Sequence, residues 1–375
     1  MKKINLSEPI IFNESLSMVN QVLKSGWLTQ GNKVAELEAL VAEFLDVKYS
    51  LALNSATAGL HASLLALGVR SGDEVIVPSF TWVSTANAVE MCGAKPIFAD
   101  IDINTFNILE EDLLKKISSK TKAIIPVHLF GYPCDIEMLK SLIPKSIHVV
   151  EDAACSLGSK LKGLHTGTLG SVGVFSFHPR KSITTGEGGM LVTNDKDIHE
   201  QVSKIRNHGQ AIQSAHSKPY DLLDCPIVGY NYRMPDINAA VGISQFKKLE
   251  QMIDERNTIA EKYKTLLGGL NKVKLPQLPK DGLHSWQSYI IRVSSSIRNK
   301  LITFLADKGI QTRPGTHAVH TLSFYKTKYE LSFDYCPNSF EALQTTIALP
   351  MHNNLIDSDI TYISDKILEF FNNEK

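Results

Sequence analysis

The stretch Val172–Gly189 reads VGVFSFHPRKSITTGEGG, and the chain is best understood outward from it. Val172–Phe177 is an apolar, aromatic and β-branched run, the pattern of a buried strand. A short loop with a single lysine, Lys181, follows. Three glycines, Gly186, Gly188 and Gly189, then lead into a second apolar run, Met190–Thr193. Glycines let backbone approach closely, so this lysine stands in a pocket wall with little bulk around it. An amine held that way can form a Schiff base with a carbonyl compound.

Upstream, short apolar runs alternate with helical patterns. Strands are expected at Glu74–Val77, Pro96–Ala99, Ala123–Val127 and His148–Glu151, besides Val172–Phe177 and Met190–Thr193. Leu37, Leu40, Val41, Phe44 and Leu45 share one helix face, and Asn54–Gly68 reads as a capped helix stopped by Gly68. This alternation predicts an α/β fold with a mostly parallel central sheet. Downstream, helices are expected from Pro235 and around Ile259–Leu267, with a loop at Leu275–Gly282. A strand (Tyr289–Val293), a helix (Arg298–Lys308), a strand (Thr346–Leu349) and a last helix (Ser358–Phe371) complete the chain. That predicts a large domain over residues 1–245, with an N-terminal arm, and a smaller C-terminal α+β domain over residues 246–375.

The chain has 375 residues, enough for two cores. Its 39 basic residues balance its 39 acidic ones, which argues against nucleic-acid or membrane-surface binding. The N-terminus lacks the apolar stretch of a signal peptide, and no run of 18 apolar residues exists, so a cytoplasmic location is the expectation. Cys92, Cys134, Cys155, Cys225 and Cys336 are odd in number and widely spaced, which speaks against a disulfide framework or a structural zinc site.

Four features converge on Lys181. Asp152 ends the apolar run His148–Glu151, and carboxyl ends of parallel strands are where α/β sheets place ligands. A carboxylate there can keep a pyridine nitrogen protonated, as pyridoxal phosphate (PLP) requires, or it can be a helix cap or a structural ion pair. Ser176 lies between two phenylalanines, either as a satisfied core hydroxyl or as a donor to a phosphate. The helix start Ser55-Ala56-Thr57 offers free amides and a positive dipole end, suited to phosphate but also an ordinary cap. Trp82, in Pro78-Ser79-Phe80-Thr81-Trp82, follows a strand and can stack on a flat heterocycle or serve as plain core.

These types in this order resemble one family. The chain is similar to the PLP-dependent sugar aminotransferases of the DegT/DnrJ/StrS group, within the aspartate aminotransferase-like enzymes of fold type I. The resemblance is carried by SGWLTQG (Ser25–Gly31), SATAGLH (Ser55–His61), PSFTWVST (Pro78–Thr85), IIPVHLFG (Ile124–Gly131), EDAA (Glu151–Ala154), FSFHPRKSITTGEGG (Phe175–Gly189) and GYNYRMPDINAA (Gly229–Ala240). It implies that the large domain binds PLP, with Lys181 holding the cofactor's aldehyde and later carrying protons. Asp152 would hold the pyridine nitrogen, Trp82 would stack on the ring, and Ser176 with the amides of Ala56 and Thr57 would bind the phosphate. Asn231 would reach that phosphate from a neighbouring subunit, which implies a homodimer with shared active sites.

The implied reaction moves an amino group from an amino acid, glutamate in most of the family, to a keto group of a nucleotide-linked deoxysugar, for a surface polysaccharide or related glycan. After EDAA the family usually has Gln or His against the cofactor's ring oxygen; here Cys155 stands there, a weak donor. A dehydratase branch carries histidine in place of the lysine, whereas this chain keeps Lys181 with His178 three residues earlier. Dehydration, or a non-catalytic binding role, are the rival readings. Gly167–Gly173 does not match GxGxxG. His317 and His320, in RPGTHAVH (Arg313–His320), lack a nearby carboxylate or cysteine, so no metal site is expected. That segment is either an ordinary exposed loop or one facing the substrate through Arg313 and His317.

Overall fold

A computed structural model describes residues 3–211, 218 and 222–373. Its centre is a seven-stranded sheet. The order across it is Tyr49–Leu53, Gly189–Thr193, Val172–Ser176, His148–Asp152, Thr121–Ile124, Glu74–Pro78 and Lys95–Ala99. The first two pairings are antiparallel and the other four parallel, so the mostly parallel sheet is as expected. Its strands are buried almost throughout, which is why they read as continuous apolar runs rather than alternating ones.

Most strands shift by one residue at one end from the expected bounds, and two strands differ by more. The strand at Thr121–Ile124 stops short of Val127, because Pro126 has no N–H for the ladder; Val127 makes only an isolated bridge to Asp152. Tyr49–Leu53 was not anticipated. Ser50 interrupts its apolar run, and its hydroxyl donates to the Glu38 carbonyl at 2.6 Å.

The parallel strands share one carboxyl edge, where Asp152 and Ser176 lie. The register adds Leu53 and Gly189 to it, since Gly189 pairs with both Ser176 and Leu53. From Leu53 the chain turns at Ser55 into the helix Ala56–Ala66, buried from Ala58 to Leu64. Gly59 brings this helix against the sheet: a Cβ there would stand 2.7 Å from Val174 Cγ1.

The buried carboxylate of Asp236, at the start of the helix Asp236–Phe246, accepts from the amides of Gly31 (2.8 Å), Val34 (3.0 Å) and Lys33 (3.2 Å). It thereby caps the helix Asn32–Leu45 from across the chain, a negative charge at the positive end.

The C-terminal part has its own core. The strands Tyr289–Arg292 and Thr346–Leu349 pair antiparallel, and the helices Ser295–Asp307 and Asp357–Asn373 cover them with Leu301, Leu305, Ile363 and Ile367. The helix Leu249–Leu267 serves two cores. Leu249, Met252 and Ile253 pack beneath the large sheet, while Ile259, Tyr263 and Leu267 pack in the C-terminal core. A short antiparallel pairing of His317–Ala318 with Phe80–Thr81 ties the C-terminal part to the carboxyl edge of the large sheet. No helix among the described residues is long and apolar enough to cross a membrane.

Candidate active site

The carboxyl edge opens into a cavity of about 530 Å³, lined from both ends of the chain. The size is that of a small-molecule site. Its floor is built by strand ends. Asp152 is 5% exposed, and its Oδ2 accepts from the Thr85 hydroxyl at 2.8 Å and its Oδ1 from the Ala154 amide at 3.2 Å. Burial pushes its carboxyl above the usual range; the hydrogen bonds from Thr85 and Ala154, with the charge of Lys181 and His128, pull the other way without overcoming it.

Lys181 sits on a loop that is tied back to its own ends. Phe177 donates to the Gly188 carbonyl at 2.9 Å, Thr185 to that of Phe177 at 3.0 Å, and Lys181 to that of His178 at 2.9 Å. Asn238 clamps the far side through the Thr185 carbonyl at 2.8 Å. The lysine is half-buried, and its Nζ lies 3.1 Å from Cys155 Sγ.

The corner beside it is fixed by Gly189. A Cβ on that residue would come within 2.6 Å of the Ala56 nitrogen, so glycine lets the strand end touch the helix start. Ser55 caps the helix by accepting from Ala58 at 3.1 Å. The amides of Ala56 and Thr57 precede the first helical hydrogen bond and have no acceptor within the helix. Ser176, paired with Gly189, stands at the same corner and lines the cavity with Ala56 and Thr57.

The structure thus brings Ala56, Thr57, Trp82, Asp152, Cys155, Ser176, Lys181 and Arg313 around one cavity. Trp82 is 56% exposed there, and its ring meets that of His317 at 5.5 Å. His317 itself is not a lining residue; Gly315 and Thr316 are. His320 is fully buried and structural, bonded through its ring to Ser79 and to the Phe333 carbonyl. No cluster of metal-ligating side chains occurs among the described residues. Asn231 lies outside the cavity and is exposed; its carbonyl accepts from Asn54 at 3.2 Å.

Several neighbours carried no role in the sequence. Thr85 was visible only as part of PSFTWVST. Arg180 and Gln287 also line the cavity, Gln287 donating to the Arg180 carbonyl at 2.9 Å. Phe130 faces it with φ at 60°, a left-handed conformation costly for a bulky residue. Glu151, beside Asp152, serves the frame instead. Its buried carboxylate accepts from Gly167, Leu169 and Gly170, and from His128 Nε2 at 2.9 Å. That holds the glycine-rich loop against the sheet.

These residues fit PLP. The buried carboxyl of Asp152 is under-compensated and calls for a cationic N–H, which a protonated pyridine ring supplies. The bare helix start with Ser176 suits a phosphate, and the amine of Lys181 lines the same cavity.

Fold and cavity together define a PLP-dependent aminotransferase of the aspartate aminotransferase-like class. The chain belongs to the DegT/DnrJ/EryC1/StrS aminotransferase family, which matches residues 9–368, a family of PLP-dependent sugar aminotransferases. It is 37% identical over 377 residues to the GDP-perosamine synthase of Escherichia coli O157:H7, covering all of both chains. Among solved structures it is similar to the aminotransferase TlmJ from Streptoalloteichus hindustanus, with a TM-score of 0.93 and 31% identity over the whole of both chains. It also resembles the PLP form of Spr1654 from Streptococcus pneumoniae, with a TM-score of 0.91, 29% identity and 97% of each chain covered.

Proposed function

We propose that the protein binds PLP at Lys181 and moves an amino group from L-glutamate to a keto group of a nucleotide-linked deoxysugar. The observation that carries this reading is that Lys181, Asp152 and the free amides of Ala56 and Thr57 open onto one cavity. The nucleotide-linked acceptor is supported by the relative named as a GDP-perosamine synthase. The product would be an amino sugar for a surface polysaccharide or related glycan, made in the cytoplasm. The working unit would be a homodimer in which the exposed Asn231 completes the neighbouring site.

PLP, when bound, supplies an electron sink through its protonated ring. The chain's own residues do the rest. Asp152 holds the ring proton and Trp82 covers the ring face. Ser176 and the amides of Ala56 and Thr57 fix the phosphate. Cys155 stands beside Lys181, its Sγ 3.1 Å from the amine. The Lys181 amine would hold the cofactor and serve as the base that takes the donor's α-proton and returns it.

Lys181→Ala tests this. We expect a folded protein with no covalent PLP absorbance and no turnover. The unaltered protein should release one 2-oxoglutarate for each amino sugar formed from glutamate and a keto-sugar nucleotide. Turnover surviving in Lys181→Ala would refute the assignment. A deoxy product without 2-oxoglutarate would move the protein to the dehydratases.

A further inference from the structure

The cavity holds one pairing that the proposed function does not use, an amine against a thiol. Lys181 Nζ donates to Cys155 Sγ at 3.1 Å. Both residues are half-buried and both line the cavity, so a small solute reaches them from solvent. Among the described residues no carboxylate stands within salt-bridge distance of Lys181, and the sulfur is the group its amine meets.

Backbone contacts fix both ends of this pair. The Cys155 carbonyl accepts from the Ser285 hydroxyl at 3.4 Å, and the Ala154 amide just before it donates to Asp152 at 3.2 Å. On the other side the Lys181 amide donates to the His178 carbonyl at 2.9 Å, and Asn238 holds the Thr185 carbonyl at 2.8 Å. The four-carbon stem of a lysine is flexible, so nitrogen and sulfur can close to bonding distance with neither backbone moving.

Thiols are oxidised where they are accessible and their surroundings electropositive. Cys155 meets both conditions, since Lys181, Arg180 and Arg313 outnumber Asp152 and Glu187 along the cavity wall. Among the described residues no second cysteine lines the cavity to form a disulfide with it. The lysine amine stands in that place. A second pair, Lys116 and Cys336, fails both conditions. That sulfur is fully buried, and burial pushes its thiol up. Its amine lies 3.9 Å away and is held by Asp112 at 3.0 Å.

We infer that Cys155 and Lys181 form an oxidisable pair, which a small peroxide joins by a sulfur–nitrogen bond in the cofactor-free protein. With hydrogen peroxide, the sulfur first attacks one oxygen and the O–O bond breaks. One oxygen leaves as water and the other stays on sulfur as a sulfenic acid. The Lys181 nitrogen then attacks that sulfur, the S–O bond breaks, and hydroxide leaves with the amine's proton as water. Sulfur loses two electrons, the peroxide gains them, and the protein loses two hydrogen atoms. Two thiols reverse the bond, restoring amine and cysteine and leaving as a disulfide. The bond consumes the amine that the function proposed above gives to PLP, so oxidation closes the site to the cofactor. That consequence rests on the transaminase reading; the bond itself does not.

The test is to expose the cofactor-free protein to hydrogen peroxide, digest it and weigh the peptides. We expect a crosslink between the peptides of Cys155 and Lys181, lighter by two hydrogen atoms than the two separate peptides together. Dithiothreitol should remove it, and Cys155→Ser and Lys181→Met should not form it. In Lys181→Met, dimedone should instead capture the sulfenic acid on Cys155, which separates loss of the partner from loss of the fold. Wild type should lose PLP absorbance after peroxide and regain it after dithiothreitol, and PLP added first should protect the pair. Cys155 recovered only as sulfinic or sulfonic acid, with Lys181 free, overturns the inference. So does an unmodified Cys155 in protein whose exposed Cys225 is oxidised. A crosslink that forms equally fast in PLP-loaded protein upholds the bond and sinks the function proposed above instead.

Discussion

Replacing Asp152 by asparagine should act in opposite directions on the empty and the PLP-loaded protein. In the unfolded chain an aspartate ionises near pH 3.9. In the fold, burial raises that value. Between the two pH values the folded state holds a proton the unfolded state has released. Raising pH through that window therefore costs wild-type stability, and above it the full penalty remains. The asparagine of Asp152→Asn carries no charge and escapes the penalty. Its side-chain oxygen can still accept from Ala154, and its amide can donate to Thr85, whose hydroxyl lies 3.4 Å from that of Thr81 and is free to turn. The cofactor-free variant should thus be at least as stable as wild type at pH 8, by an amount up to about 1–3 kcal/mol, and the gain should fade in acid.

With PLP the balance reverses, because the variant leaves a pyridinium without its counter-charge. Losing one member of a buried ion pair costs about 3–5 kcal/mol. That is a loss of affinity of roughly a hundredfold or more. Cofactor stabilises a fold by RT ln(1 + [L]/Kd), so the variant's melting temperature should respond weakly to PLP concentrations that shift wild type fully. The assay is thermal melting at pH 5 and pH 8, with and without PLP. Equal PLP-induced shifts in the two proteins would show that Asp152 does not face the ring nitrogen. A cofactor-free variant less stable than wild type at pH 8 would show that the carboxylate is compensated within the chain.

Two further substitutions probe the frame. Gly189→Ala drives a Cβ to 2.6 Å from the Ala56 nitrogen, so we expect about 1–3 kcal/mol lost in urea denaturation and a weaker grip on inorganic phosphate, which competes for the same corner. Glu151→Ala leaves the amides of Gly167, Leu169 and Gly170 and the Nε2 of His128 without their acceptor, and should cost about 3–5 kcal/mol, read as a lower denaturation midpoint at unchanged m-value.

How much of the site was legible in the sequence follows from which contacts are local. Asp152 was readable because an apolar run fixes where a parallel strand ends and the next residue falls on the ligand edge, and Ser176 because its hydroxyl stands out between two phenylalanines near the end of such a run. Lys181 was readable because strand, loop and glycines lie within 18 consecutive positions. Thr85 was hidden: its hydroxyl serves a carboxylate 67 residues away, and no spacing announces that. Arg313 was legible only within RPGTHAVH, as one of two readings of that segment. It reaches the cavity only because the C-terminal part is pinned to the sheet by the brief pairing of His317–Ala318 with Phe80–Thr81, too short to leave a periodic signal. The same pairing explains why Thr316 lines the cavity while His317 lies against Trp82. The groups proposed for the cofactor therefore come largely from strand ends that the chain spells out locally, whereas Arg313, Gly315 and Thr316 come from a second part of the chain carried to that edge. A family with one chemistry can vary its substrates by altering the second set, because those residues do not hold the large sheet together.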